Sequence, residues 1–250
     1  MSANRCIALV AMTLGLLTGC ASYQPGVDSK PEMSVEEART VVRESRIYTA
    51  AGGGVASKIE LTRIGLRHVY ENGRSEMCRF DQITRVERKL EAVIFLHGCQ
   101  LSFDILGENN SRRFVDAVYV LKQDYLPRTA PETPQQQAAF DAVVRQYRET
   151  QPPPALPESA ARFKVQAEFA VQQKRFEDAA ELYAKALEVS PWWPQGRYNR
   201  GLILGELEAY PEAIRELQKY LKLEPGAPNA RAVQEQIYRW ESVATKGVAR

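Results

Sequence analysis

The sequence of 250 residues has little of what most enzymes and metal proteins need. It contains only two His, His68 and His97, and four Cys, so a metal site with several side-chain ligands is hard to assemble. It has no GxSxG, HExxH or phosphate-binding GxxxxGK[ST] motif. We therefore expect no catalytic residue, no metal and no cofactor.

The sequence also lacks an excess of charge of either sign. Lys and Arg together number 33, Asp and Glu number 31, and the net charge is +2. Proteins that bind nucleic acid typically carry a basic patch or stripe, so nucleic acid is not an expected partner. The apolar fraction of 44% is typical of a globular protein rather than a disordered one.

No hydrophobic run of the sequence is long enough to span a bilayer, which takes about 20 apolar residues. The run at the start extends only from Cys6 to Leu17 and follows the basic Arg5. A short basic-then-apolar start that ends in small residues is typical of an export signal. Its last four residues, Leu17-Thr18-Gly19-Cys20, resemble the lipobox of bacterial lipoproteins.

The lipobox resemblance implies cleavage between Gly19 and Cys20 and lipidation of Cys20. The next residue is Ala21 rather than the Asp that tends to retain such proteins at the inner membrane. The resemblance therefore implies a lipid-anchored protein of the outer membrane that faces the periplasm. The alternative is an ordinary secreted protein that happens to carry Cys20. Residues 20–33 contain two Pro and no periodicity, and we expect them to form a tether.

The two remaining cysteines, Cys78 and Cys99, would lie in a compartment where disulfides persist. A bridge between them is one interpretation, and two buried thiols are the alternative.

The C-terminal third shows a repeat with a period of 34 residues. The pairs separated by one period include Ala167 and Gly201, Ala179 and Ala213, and Pro191 and Pro225. Small side chains allow paired helices to approach closely, and Pro ends a helix. The pattern resembles the tetratricopeptide repeat (TPR) over about residues 159–241, with a capping helix from Asn229 to about Val243. Arg197 and Arg200 depart from it, because large apolar residues are usual at their positions.

The TPR resemblance implies a concave groove, lined by the first helix of each repeat, that binds a protein segment. The residues that the repeat register assigns to the groove are Lys164, Glu168, Val171, Tyr198, Asn199, Leu202 and Glu206. Some TPR proteins clamp a peptide's terminal carboxylate, but Glu168 stands where that clamp has Asn, so we do not expect one. In the turn between repeats, Trp192 or Trp193 either packs against the neighbouring repeat or anchors a partner.

The middle of the chain reads as a small β-rich domain. Short alternating apolar runs extend from Lys58 to Leu106, and Asn72-Gly73 predicts a tight hairpin turn. An amphipathic helix follows, from about Ser111 to Gln123. Antiparallel strands followed by one helix resemble pleckstrin-homology-like domains, whose members mostly bind peptides or lipid head groups.

These patterns predict an α+β protein, with a small antiparallel β-barrel-like domain and its C-terminal helix followed by an all-α TPR module. The expected divisions are a signal peptide (1–19), a tether (20–33), a β-rich domain (34–126), a Pro-rich linker with one helix (127–158) and the TPR module (159–250). The expected function is a membrane-anchored scaffold or adaptor that binds an envelope protein. One alternative is a lipoprotein whose β-rich domain binds lipid or glycan, and an enzyme or an accessory of a cell-wall hydrolase is a third.

Overall fold

In the computed structural model, the parts of the chain whose structure is described are residues 22–28, 30–48, 56–70, 72–89, 93–99, 101–105 and 107–248. The predicted signal peptide and the predicted lipidation site at Gly19 and Cys20 lie outside these residues. An antiparallel sheet with two helices comes first, and a series of helices follows. The α+β fold class is thereby confirmed.

The sheet has eight strands within the described ranges. They are β1 (Ser22–Tyr23), β2 (Ile47–Tyr48), β3 (Ala56–Leu61), β4 (Gly65–Val69), β5 (Ser75–Arg79), β6 (Arg85–Lys89), β7 (Val93–His97) and β8 (Leu101–Asp104). Their order is β1-β6-β7-β8-β2-β3-β4-β5, and every pairing is antiparallel. The sheet is therefore open, with β1 and β5 at its edges, and does not close into the barrel that the sequence suggested.

A disulfide connects the edge strand β5 to the other half of the sheet. Cys78 of β5 is fully buried and is bonded to Cys99 in the turn between β7 and β8, with 5.5 Å between the two Cα atoms. The sequence left open a disulfide or two buried thiols, and the structure contains the disulfide. At the other end of β5, Gly73 adopts a φ of +80° in the expected hairpin turn, a conformation that favours Gly.

Two helices pack with the sheet, α1 (Val35–Glu44) and α2 (Glu108–Thr129). The Ser34 hydroxyl caps α1 by accepting a hydrogen bond from the Glu37 amide at 3.1 Å. Helix α2 covers the core with buried apolar side chains such as Phe114 and Val118. It extends past the predicted end at Gln123 to Thr129, with Tyr125 buried and Pro127 inside the last turn.

The described residues that begin at Ser22 are joined to the sheet. Ser22 and Tyr23 form β1, which pairs with Lys89 and Arg88 of β6. The Tyr23 ring is buried, and Pro25 after it is buried as well. The predicted tether of residues 20–33 therefore contains the short strand β1, and a two-residue strand is too short to leave a signal in the sequence.

The second part of the structure contains six helices within residues 107–248 that follow α2. They are α3 (Pro134–Glu149), α4 (Glu158–Gln172), α5 (Phe176–Val189), α6 (Pro194–Glu206), α7 (Tyr210–Leu223) and α8 (Ala230–Val248). Helices α4 and α5 form one pair, α6 and α7 the next, and α8 packs on α7. Gly201 allows α6 to approach α7 closely, because a Cβ there would lie 2.7 Å from the Leu217 side chain, which would have to move.

Helix α3 belongs with this helical module rather than with a loose linker. Thr133 and Gln136 form a full capping box at its start, as expected for a helix whose first residue is Pro134. Its buried Phe140 and Val144 form a cluster with Leu223 of α7. The stripe of apolar residues in α3 is therefore covered by the second helix pair.

The sheet and the helical module are in direct contact. One cluster of buried apolar residues extends from the sheet through α2 to α4, α5 and α6. Arg63, in the turn between β3 and β4, reaches across this junction to Glu181 of α5 and Glu212 of α7. The Pro152-Pro153-Pro154 segment therefore joins α3 to α4 without separating the two parts of the protein.

Candidate protein-binding groove

An open groove lies between α4, α5 and α6. Its cavity has a volume of about 450 Å³, and its lining residues are Glu168, Val171, Gln172, Phe176, Tyr183, Asn199, Leu202, Ile203 and Glu206. Most of the lining is apolar or aromatic, which is typical of sites that bind a hydrophobic segment. The groove is formed by the first helix of each pair, with two side chains of α5 at its base.

Hydrogen bonds hold the base of the groove in place. The Asn199 amide nitrogen donates to the Tyr183 hydroxyl at 3.0 Å, and the Asn199 oxygen accepts from Gln195 at 3.2 Å. Burial raises the pKa of Tyr183, and the nearby Glu168 raises it further against the opposing effect of the Asn199 bond. Tyr183 therefore stays neutral, and the base of the groove carries no charge.

The rim of the groove is acidic. Glu168 on α4 and Glu206 on α6 are both exposed, and the lining contains neither Lys nor Arg. Lys164 lies one turn before Glu168, and its ammonium is 3.9 Å from that carboxylate. An exposed pair of this kind contributes little free energy, so Glu168 can exchange Lys164 for a cation of a ligand. The geometry fits an apolar segment that carries a basic residue.

Five of the seven residues assigned from the sequence come together in this groove: Glu168, Val171, Asn199, Leu202 and Glu206. Lys164 lies at its rim. Tyr198 does not line it, because its ring packs 5.2 Å from the ring of Tyr220, on the side of α6 that faces α7 and α8. The assignment of Tyr198 to the groove is therefore wrong.

Sequence reasoning missed four of the lining residues: Gln172, Phe176, Tyr183 and Ile203. Phe176 and Tyr183 belong to α5, whereas the repeat register assigns the groove to the first helix of each pair. The spacing of Tyr183 within the apolar stripe of α5 indicated only that it would be buried. The signal that could have indicated a role in the groove was that Tyr183 is an aromatic residue among apolar positions of α5 that are otherwise Ala and Leu.

The groove is not a carboxylate clamp. Both polar atoms of the Asn199 amide already have partners inside the protein, and Glu168 places a negative charge where a terminal carboxylate would bind.

One edge of α4 continues the apolar surface beyond the groove. Val165 and Phe169 are 63% and 56% exposed. The residues one repeat period later are Asn199 and Ile203. Asn199 contacts Tyr183 of α5, and Ile203 is buried. At these two positions, a repeat therefore normally packs against the second helix of the repeat before it. The first helix pair therefore begins with an uncovered face that adjoins the groove.

Both Trp of the inter-repeat turn pack inside the protein. Trp193 is buried beside Tyr183, with ring centroids 6.0 Å apart. Trp192 is half-buried and stacks on Tyr147 of α3 at 6.1 Å. This arrangement favours the packing interpretation over a Trp that anchors a partner.

The two unexpected arginines of α6 belong to a buried ionic network. Arg197 and Arg200 both contact Glu216 of α7, and Arg200 also lies 3.7 Å from Glu212, which binds Arg63. Burial would raise the pKa of Glu216, but Arg197 and Arg200 outweigh it, so its pKa lies below the usual value. The network joins the repeats to the sheet on the side formed by α5 and α7 and leaves the groove open.

The β-rich domain has a cavity of its own between α1 and the start of α2. It has a volume of about 410 Å³ and is lined by Glu37, Thr40, Val41, Glu44, Ser45, Arg46, Ile105, Asn110 and Arg113. Arg113 and Glu37 pair with each other at 3.0 Å across it. A lining with charged side chains on both helices offers little to a lipid chain. Within the described parts of the chain, no group of three His, Cys, Asp or Glu side chains could hold a metal ion.

The basic residues of β6 also have acidic partners. Arg85 and Lys89 lie near Glu87, and Arg88 reaches Glu108 of α2. His97 contacts Glu87 at 2.9 Å. These contacts do not form a pocket for a single head group.

Comparison with known proteins identifies the helical module. Residues 167–238 match the family model of the tetratricopeptide repeat, which extends from within α4 to within α8. The match supports a TPR repeat in this part of the chain, and TPR repeats generally bind protein partners. Comparison with curated proteins found no match to the chain. No helix in the described ranges is both long and apolar enough to cross a membrane.

Proposed function

We propose that this protein is a lipid-anchored adaptor of the bacterial cell envelope that uses its TPR groove to hold a segment of another envelope protein. The observation that carries the proposal is the open groove of about 450 Å³, with an apolar floor and the exposed carboxylates of Glu168 and Glu206 at its rim. A segment with two or three apolar side chains and a Lys or Arg is the ligand that this lining fits. The role requires no catalytic residue and no cofactor.

Two features support the envelope as the location. Leu17-Thr18-Gly19-Cys20 follows a short apolar run, which supports lipidation of Cys20 and an outer-membrane anchor that faces the periplasm. The Cys78–Cys99 bond is of a kind that persists in oxidising compartments and is rare in the cytosol. The β-rich domain, for which we retain the resemblance to pleckstrin-homology-like domains, would be the platform on which the repeats are mounted.

Photo-crosslinking in living cells tests the groove. We would place a benzophenone amino acid at Leu202 of the full chain, and at Lys185, an exposed residue of α5 outside the groove, as the matched control. We expect a crosslinked envelope protein at Leu202 that is absent at Lys185 and is lost when Val171→Asp puts a charge on the groove floor. Identical products at both positions would contradict the proposal.

The alternative, in which the β-rich domain binds lipid or glycan, makes a different prediction. Crosslinks to lipid or glycan would then form from the cavity at Thr40 and would persist in the Val171→Asp variant. A partner that remains bound after Val171→Asp, with an unchanged circular dichroism spectrum, would favour this alternative.

A further inference from the structure

The β-rich domain holds the chain tightly just after the predicted anchor. Ser22 and Tyr23 are hydrogen-bonded into the sheet opposite Lys89 and Arg88. The Tyr23 hydroxyl donates to Asp116 of α2 at 2.6 Å, and the Arg112 guanidinium lies 4.4 Å from the centre of its ring. These contacts fix the chain from Ser22 onward.

Very little chain remains between this fixed point and the lipid. Only Ala21 separates Cys20 from Ser22, so their Cα atoms are at most about 7 Å apart whatever the conformation. This step rests on the proposed function, in which Cys20 carries the lipid. Since the acyl chains lie within the bilayer, Cys20 is held at the level of the head groups, and β1 is held beside it.

The side chains next to this point suit an anionic surface. Lys89 lies directly opposite Ser22, and its side chain is 50% exposed. Arg112 is exposed on α2 beside Tyr23. Glu87 faces Lys89 at 3.9 Å, but its side chain is only 6% exposed. Cations within about a Debye length of the membrane, roughly 8 Å at physiological salt, are attracted to anionic lipids.

We propose that the sheet edge at Ser22, flanked by Lys89 on one side of the sheet and by Arg112 of α2 on the other, forms a membrane-contact face, which lies on anionic phospholipid head groups and fixes the orientation of the whole protein. The β-rich domain then rests on the bilayer and does not move on a tether. The Arg63 network holds the TPR module against that domain. The orientation of the groove relative to the membrane is therefore fixed as well. The face is a contact surface for many lipids, not a pocket for one.

Depth-dependent quenching tests the proposal on the full chain, purified from membranes. We would confirm lipid on Cys20 by mass spectrometry and reconstitute the protein in phosphatidylethanolamine and phosphatidylglycerol vesicles that contain a spin label in the head group. A fluorophore would be attached through Lys89→Cys, since Cys78 and Cys99 are bonded to each other. The matched control is Arg231→Cys, a 93% exposed side chain at the start of α8.

We expect the probe at residue 89 to lose most of its emission and the probe at residue 231 to keep it. Equal emission at both positions would overturn the membrane-contact face and leave the anchor intact. Absence of lipid on Cys20 would instead overturn the anchor, and the contact face with it.

Discussion

Replacing Arg63 with Ala tests whether the buried ionic network holds the sheet and the repeats together. The Arg63 side chain is 4% exposed and donates to both carboxylate oxygens of Glu212, at 3.2 and 2.8 Å, and to Glu181 at 2.8 Å. Burial lowers the pKa of Arg63, but the two carboxylates outweigh it and raise it overall. Arg63 therefore remains charged at every pH at which the protein is folded.

The loss in the free energy of unfolding follows from the carboxylate of Glu212, which remains buried after this substitution. Without Arg63, Glu212, which is also 4% exposed, is left with Arg200 at 3.7 Å. Breaking a buried ion pair from one side costs about 3–5 kcal/mol. Because Arg200 still compensates part of the charge, we expect the free energy of unfolding to fall by about 3 kcal/mol.

Urea unfolding of the full chain, followed by circular dichroism and by Trp fluorescence from the helical module, measures this loss. The matched control is Arg74→Ala, which breaks the Arg74–Glu76 pair of the β4–β5 turn, where the Arg74 side chain is 70% exposed; we expect less than about 1 kcal/mol there. The double variant Arg63→Met with Glu212→Leu should regain most of the loss, since it leaves no buried charge unpaired. Equal losses for Arg63→Ala and Arg74→Ala would refute the reasoning.

Two further predictions concern the sheet. Burial lowers the pKa of His68 against the opposing effect of Glu76, so below pH 6.5 the unfolded chain binds a proton that the folded one does not, and stability falls as the pH drops. Urea midpoints at pH 7.5 and pH 5.5 should therefore differ less for His68→Leu than for the parent, and an equal difference would rule out this role. Gly65→Ala should lower the melting temperature, because its Cβ would lie 2.1 Å from the Cys78 carbonyl oxygen, whereas Gly226→Ala, in open space, should not; similar shifts would contradict the packing.

Local patterns predicted much of this structure from the sequence. The turn at Gly73 is confirmed, and Ser34 and Thr133 cap the starts of α1 and α3 through their side chains. Each depends on residues at most a few positions apart, whose side chains or backbone preferences act on their own neighbourhood. The repeat was predictable for a related reason. The same pattern of residues occurs twice, so each copy supports the helix packing inferred from the other.

Contacts between distant parts of the chain could not be predicted in this way. Arg63 and Glu212 are 149 positions apart, and nothing near Arg63 in the sequence indicates its partner. The only signal was the departure of Arg197 and Arg200 from the repeat pattern, which showed that a charged cluster replaces apolar packing but not what it joins. The placement of α3 on α7 and of β1 on β6 has the same origin, since short or isolated elements acquire their position from the surfaces they meet.

Charge reversal across the groove is the most direct test of the account. With the partner segment identified by crosslinking at Leu202, Glu206→Lys should weaken its binding by about fivefold, since an exposed attraction becomes a repulsion. Reversing the basic residue of the partner segment to Glu should restore the affinity for the Glu206→Lys protein. Unchanged affinity for Glu206→Lys, or no restoration by the second reversal, would contradict the claim that this groove binds the partner.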